Sequence, residues 1–452
     1  MILFKRKMNF KFKNKYIKLP THEPEDISQV YSPSSEKIKE KNIISKIKKE
    51  LIIYNFIISL IMAILVVNLS INLKDKKWRR KNNDLKSKIN EQIQIKKQHL
   101  KFIESCIKGE LFFKIDSNKI MNPKISVIIP VYNKEIYILR ILRSIQNQNF
   151  ENMEIIFSDD CSKDESVKLI EKYQKEDERI KLIRHEKNVG TLINRNEAAL
   201  KAKGEYLLFI DCDDLLLNNI LNTSYYFAKK YNLDIVQFRA YWGFYLLNVY
   251  KYDDYGYIHK SNIKYQPELS NLMYYEYPDK ILQTEYNLWG KLIKKDIYFK
   301  TLDKIDKKYL DQHMTLHEDG MILFILFKVA KSYLYLDKFG MFYSRNENSA
   351  LAGLRKNENV DKTVRDSFLY LKFMYEYTKE NKKEKDMAVY QFKFIIQQFE
   401  SIFDKIKSGF DFIYDVIDLY LNCDLISADD KEIFRKAMDI IAKREQRIKS
   451  NH

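Results

Sequence analysis

I-S-V-I-I-P-V-Y-N-K-E at residues 125–135, I-I-F-S-D-D-C-S-K-D at 155–164, N-V-G-T-L-I-N-R-N at 188–196 and Y-L-L-F-I-D-C-D-D at 206–214 share one layout. Each sets a polar cluster at or just beyond the end of a predicted β-strand. The hydropathy pattern predicts strands at 124–131, 153–158, 180–184, 205–210 and 234–239. Helices are predicted near 135–148, 163–176, 191–203 and 217–231. Strands alternating with helices imply parallel pairing through crossover connections, an α/β fold. Open sheets of this kind bind ligands outside the carboxyl ends of their strands. The four clusters therefore define a candidate site as well as a fold.

The acidic cluster Asp211, Asp213 and Asp214 follows a very apolar strand. Three carboxylates in four positions repel one another and suit a hard divalent cation, Mg or Mn, that also takes ligands from phosphates. The competing reading is a capping turn before the next helix, a role Asp favours. Asp159 and Asp160 can accept hydrogen bonds from a base or ribose, while Ser162 and Asp164 suit the cap of the following helix. Pro130, Tyr132, Asn133 and Glu135 close the first strand, and the Tyr132 ring can stack on a base. Gly190 permits close backbone approach, and Arg195 can fork onto a phosphate. No G-x-G-x-x-G or G-x-x-x-x-G-K-[ST] is present, which argues against a dehydrogenase and a P-loop NTPase; nor is there a G-x-S-x-G elbow.

Outward from this stretch the chain divides unevenly. Of the net charge of +17, residues 1–108 carry +15, with 25 Lys/Arg against 10 Asp/Glu. The basic excess thus belongs to an N-terminal arm and reads as membrane-surface attraction, with no nucleic acid expected as partner. Residues 1–50 read as a disordered basic tail. Leu51–Leu73 is 23 residues without a charge, enough for a transmembrane helix, and its position predicts a signal-anchor that is not cleaved. Flanking lysines and arginines lean weakly toward a cytosolic catalytic region. Residues 74–121 read as a helical stalk, 122–350 as the α/β domain, and 351–452 as a helical C-terminal region. Cys106, Cys161, Cys212 and Cys423 show no disulfide or zinc spacing. The aromatic stretch 241–288, with Tyr241, Trp242, Tyr245, Tyr250 and Tyr252, reads equally as sugar-stacking or as strand packing.

The ordered motifs P-V-Y-N-K-E, D-D-C-S-K-D, N-V-G-x(4)-R-N and D-C-D-D resemble the inverting glycosyltransferases of family two, with the GT-A fold, over roughly 124–350. The resemblance implies a Rossmann-like, mostly parallel sheet. It implies nucleotide-sugar contacts at Pro130, Tyr132, Glu135, Asp159, Asp160, Gly190, Arg195 and Asp211. It maps the D-x-D motif to Asp211 and Asp213, with Asp214 adjacent, as holders of the donor's metal. H-E-D-G at 317–320 resembles the family's acid pair, making Asp319 the general base and Glu318 its neighbour. A helix N-terminus stabilised by acids is the competing reading of that pair. N-L-W-G-K-L-I-K at 287–294 resembles an acceptor-side segment centred on Trp289. Two departures stand out: Cys161 replaces the second motif's common glycine, and Y-S-R-N-E-N-S at 343–349 has Ser344 and Asn346 where the family's last loop has Arg and His, with Arg345 displaced by one. The expectation is a membrane-anchored, metal-dependent transferase, of the hexosyl class, acting from a UDP-sugar on a glycan, lipid or protein hydroxyl. A catalytically silent homologue is the alternative, and a sugar-nucleotide pyrophosphorylase would need a Gly-rich loop that this chain lacks.

Overall fold

A computed structural model describes residues 122–217, 219–244, 248–251, 263–265, 275–276, 282–283, 287–345, 359–378, 381–403 and 405–450, with Lys86, Asn90 and Gln94 as isolated helical residues. The expected tail, the expected span Leu51–Leu73 and nearly all of the expected stalk lie outside the described residues, as do Tyr245 and Tyr252. Among the described residues no helix is long and apolar enough to cross a membrane.

In chain order the strands are β1 (Ile125–Val131), β2 (Met153–Asp159), β3 (Ile180–Arg184), β4 (Tyr206–Phe209), β5 (Leu215–Leu216), β6 (Ile235–Phe244), β7 (Asn248–Lys251), β8 (Ile263–Tyr265), β9 (Tyr275–Glu276), β10 (Leu282–Gln283), β11 (Lys291–Lys294) and β12 (Ser332–Arg345). The helices are α1 (Glu135–Gln146), α2 (Ser166–Gln174), α3 (Thr191–Lys201), α4 (Ile220–Lys230), α5 (Lys295–Leu302), α6 (Lys307–Leu310) and α7 (Glu318–Val329). Four more follow: α8 (Val360–Tyr377), α9 (Lys382–Phe403), α10 (Phe410–Leu421) and α11 (Ala428–Ser450).

The main sheet runs β3-β2-β1-β4-β11-β6-β12-β5. Its first four strands are parallel, as the alternation predicts. Beyond β4 the expectation of a mostly parallel sheet needs correction. β11 enters antiparallel between β4 and β6, and β12 then pairs parallel with β6. β11 thus runs opposite to both of its neighbours.

Because β1 has β2 on one side and β4 on the other, the connections diverge at its carboxyl end, the switch point where a crevice opens. Side chains alternate across the central strand. Ile125, Val127, Ile129 and Val131 join the core beneath α1, α2 and α4. Ile128 faces the opposite core, with α3, α5 and α7. Strand β3, at the edge, leaves Lys181 and Arg184 exposed, charges that discourage pairing with another chain. Helix α7 is apolar all round from Met321 to Phe327, the signature of a helix covered on every side. Helices α8–α11 belong to the same core, which runs unbroken from Ile128 and Leu207 to Phe434 and Ile441. In the aromatic stretch, Tyr241 packs flat on Phe339 at 3.9 Å, which is strand packing.

Candidate active site

Strands β1 and β2 end side by side, Val131 opposite Asp159. The turns that follow are laced together through backbone groups. Asn133, left-handed at φ 52°, donates its N–H to Ser162 Oγ at 2.9 Å and accepts the Lys163 N–H at 2.8 Å. Asp164 accepts N–H groups of Glu135 and Ser166, both at 3.0 Å, and so satisfies the first N–H of α2, while the cap position itself is Glu165 and not Ser162 or Asp164 as expected. Asp159 accepts the Ser162 N–H at 3.1 Å through Oδ2, while its buried Oδ1 has no hydrogen-bond partner. Beside it the Tyr132 ring is 48% exposed, so a buried acceptor and an open aromatic face adjoin.

The second half of the site is built from charges. Beyond β4 a tight turn, with the Asp214 N–H on the Asp211 carbonyl at 3.0 Å, presents the acidic cluster. Lys134 Nζ lies 2.9 Å from Asp213. Helix α3 projects Arg195 into the crevice between two neighbours that fix its direction. Asn194 ties to the Ser158 carbonyl at 2.9 Å, and Asn196 accepts the Tyr298 hydroxyl at 2.7 Å. The buried guanidinium donates to Asp211 at 2.6 Å, to Glu318 at 3.2 Å and to Asp319. The acid pair occupies the first turn of α7, launched by left-handed His317, whose ring stacks on Tyr370 at 5.3 Å. Asp319 also accepts the Leu288 N–H at 3.0 Å.

Three carboxylates thus share one guanidinium. Burial lowers the tendency of Arg195 to hold its proton, but Asp319, Asp211 and Glu318 outweigh it, and its pKa is raised. Glu318 is pushed up to about 7 by burial and then by the charge of Asp319, with Arg195 opposing. Asp319 is raised by burial and by Asp211, against Arg195 and the Leu288 N–H. Of the pair, Asp319 has the closer hold on the cation and a backbone donor besides, so it is the better placed to stay ionised.

Several sequence expectations change at this level. Asp160 was expected on the nucleotide, yet its oxygens accept the Val189 and Gly190 N–H groups at 2.6 and 3.0 Å, holding the third motif in place. Glu135 accepts the Glu165 N–H at 2.9 Å and so bridges two turns. The close approach that Gly190 permits is to protein: at φ 85°, an added Cβ would sit 2.9 Å from the Met314 carbonyl oxygen. Arg195 faces carboxylates where a phosphate fork was expected, because α3 points it between Asp211 and the acid pair. Asp214 departs from the expected ligand set: it is buried and accepts the Ser344 N–H at 2.8 Å, and burial pushes its pKa well up. Among the described residues no three His, Cys, Asp or Glu side chains gather as a metal site.

The D-x-D pair still offers hard oxygen donors: Asp211 is 34% exposed at the crevice, with Asp213 beside it. Two such carboxylates fit Mg or Mn, which bind through one or two protein carboxylates plus phosphates and water. Trp289 is half-buried and stacks on Tyr343 at 5.3 Å, next to Leu288 and hence to Asp319. Pro130, half-buried within β1, shapes the strand end.

Residues that sequence reasoning passed over are Lys134, the counter-ion of Asp213, and the Leu288 N–H. His313, bonded to Asn188 at 2.7 Å, joins the third motif to the segment before α7. Lys134 stands inside the first quoted motif, so its charge next to a strand end was an available signal. The Leu288 contact, across 31 residues, had none.

Comparison with known proteins bears on the family and the fold. Residues 126–286 match the family model described as Glycosyl transferase family 2. The chain is 40% identical over 102 residues to GalNAc(5)-diNAcBac-PP-undecaprenol beta-1,3-glucosyltransferase of Campylobacter jejuni, covering 22% of this chain and 33% of that protein. It is 29% identical over 226 residues to glycosyltransferase GlyA of Streptococcus pneumoniae, covering 48% of this chain and 30% of that one. The matched segments span less than half the length of these relatives. Among solved structures, S. aureus TarS 1–349 in complex with UDP-GlcNAc superposes with a TM-score of 0.50 at 18% identity, over 73% of this chain and 92% of that one, a likeness of fold. The likeness to glycosyl transferase family 2 thus lies in residues 126–286.

Proposed function

We propose that this protein transfers a sugar from a nucleotide-sugar to an acceptor hydroxyl, with inversion and with help from a divalent metal. The observation that carries the reading is the convergence of Asp211, Arg195, Glu318 and Asp319 at the carboxyl ends of β1 and β4. Asp159 Oδ1, buried and without a partner, is suited to accept an N–H of the base, and Tyr132 to stack on it. Asp319 accepts the proton of the acceptor hydroxyl as that oxygen attacks the anomeric carbon. The Leu288 N–H and Arg195 fix its carboxylate, which keeps the base aimed without motion. Trp289 borders the acceptor's approach. Asp211 and Asp213 would hold the metal, which when bound neutralises charge on the departing diphosphate.

A UDP-sugar is the first donor class to test, since the fold neighbour TarS was crystallised with UDP-GlcNAc. The reading includes membrane anchorage through Leu51–Leu73, with a weak lean to a cytosolic catalytic domain. A thermal-shift screen of the purified protein against UDP-, GDP- and dTDP-sugars, with and without Mn, tests the donor half. Metal-dependent stabilisation by one nucleotide class is expected, because ligand binding to the native state raises its stability. No shift with any nucleotide from folded protein would overturn the reading.

A further inference from the structure

A cavity of about 510 Å³ lies between α6, α8 and the start of α10, and it shares no residue with the carboxylate cluster. Its volume falls in the usual range for small-molecule sites, about 300–1,000 Å³. Its walls are of two kinds. Tyr309, Leu369, Phe412 and Ile413 are apolar. Lys308, Lys362, Arg365 and Lys372 are cations. The one carboxylate on the lining, Asp361, is already taken by the Lys407 N–H at 2.8 Å and the Ser408 hydroxyl at 3.1 Å. Asp366 meets Lys362 at 2.9 Å and Arg365 at 3.5 Å from behind, and Glu376 meets Lys308 at 2.6 Å, so four cations face three carboxylates. They leave a positive excess. Lys308 and Arg365 remain about half exposed, at 52% and 46%. Lys372 lies over the Phe412 ring at 6.0 Å, so cation and apolar floor adjoin.

We propose that this cavity binds a phosphate ester of an apolar alcohol. Arg365 suits a phosphate through its planar fork and the lysines as point charges. The apolar floor gives the ester group a place that a bare anion would not use. The cavity also touches the segment that leads to the acid pair. Arg365 donates to Gln312 at 2.7 Å and Lys362 to Thr315 at 2.5 Å, a few residues before Glu318. The inference goes beyond sugar transfer, and its binding test needs no donor.

The experiment is calorimetric titration of the purified full chain with phenyl phosphate, inorganic phosphate and phenol, with and without saturating UDP. Phenyl phosphate is expected to bind at least about ten-fold more tightly than either partial probe. It should lose about ten-fold or more in the Arg365→Ala/Lys372→Ala double variant and be unaffected by UDP. Lys308→Gln, at a half-exposed position, supplies the same comparison if the double variant does not fold. Binding that UDP displaces, that survives the variants, or that is equal for inorganic and phenyl phosphate would overturn the proposal, as would no binding. Farnesyl phosphate distinguishes sources, both within the proposal: tighter binding than phenyl phosphate assigns a lipid ester, weaker binding a small soluble one.

Discussion

On the β1–β2 side of the crevice Asp160 and Asp164 accept backbone N–H groups, whereas on the other side Asp211, Glu318 and Asp319 converge on a single guanidinium. Backbone donors are fixed by the fold, so Asp160 and Asp164 are spent on shape, and Asp159 alone keeps an oxygen to offer. A lone cation shared by three anions holds them close together without satisfying all of them. The second region therefore keeps acids of unequal proton affinity, which is what acid–base chemistry needs.

The largest expected effect separates the regions by activity. Asp319→Asn should lower transfer by about 10²–10⁴-fold, with UDP-sugar affinity in calorimetry nearly unchanged. Equal loss of affinity would place Asp319 in donor binding instead. Next, Arg195→Met removes the cation that, among the described residues, pairs with all three carboxylates. It should cost about 3–5 kcal/mol in denaturant unfolding, the range for stranding buried charge. A cost near zero would mean that the acids are neutral, and the contrast between the regions would fail.

A third test uses pH. Glu318 has its pKa raised from 4.5 to about 7, so between those values the folded protein binds a proton that the unfolded chain releases. Stability should therefore fall as pH rises through that window and level off above it, by on the order of 3 kcal/mol at most. Glu318→Gln should flatten this part of the profile; an unchanged slope would assign it elsewhere, Asp214 first. On the other side, Asp160→Ala leaves two backbone donors without their acceptor and should cost about 1–3 kcal/mol in denaturant unfolding; no loss would show that the Val189 and Gly190 N–H groups do not depend on it. The smallest effect is expected at Cys161, which sits at φ 65° where an L side chain is strained. Cys161→Gly should raise stability by about 0.5–1 kcal/mol, less what its sulfur contacts contribute. A loss would show that those contacts, with the Glu186 carbonyl and Lys163, outweigh the strain.

The strand ends were legible because hydropathy period and polar punctuation coincide there: β1, β2, β3 and β4 fall within a residue of expectation. The acid pair was legible only through resemblance, since H-E-D-G alone reads equally as a helix start. The partners of Arg195 were not legible, because they come from 16, 123 and 124 residues away and are chosen by how α3 and α7 pack. The role of Asp214 was hidden for the same reason: its donor, the Ser344 N–H, lies 130 residues downstream. The antiparallel entry of β11 left no mark in the pattern, because a short apolar strand reads the same in either direction.

Helix α7, apolar all round and roofed by α8–α11, has a consequence in time. A ribosome releases the strands and the acid pair before the roof. At about 5–20 residues per second, the hundred or so residues after α7 take roughly 5–20 s to emerge. Throughout that interval the helix carrying Asp319 has no cover on its outer face. The acid pair therefore gains its dry surroundings only once α8–α11 have emerged and packed.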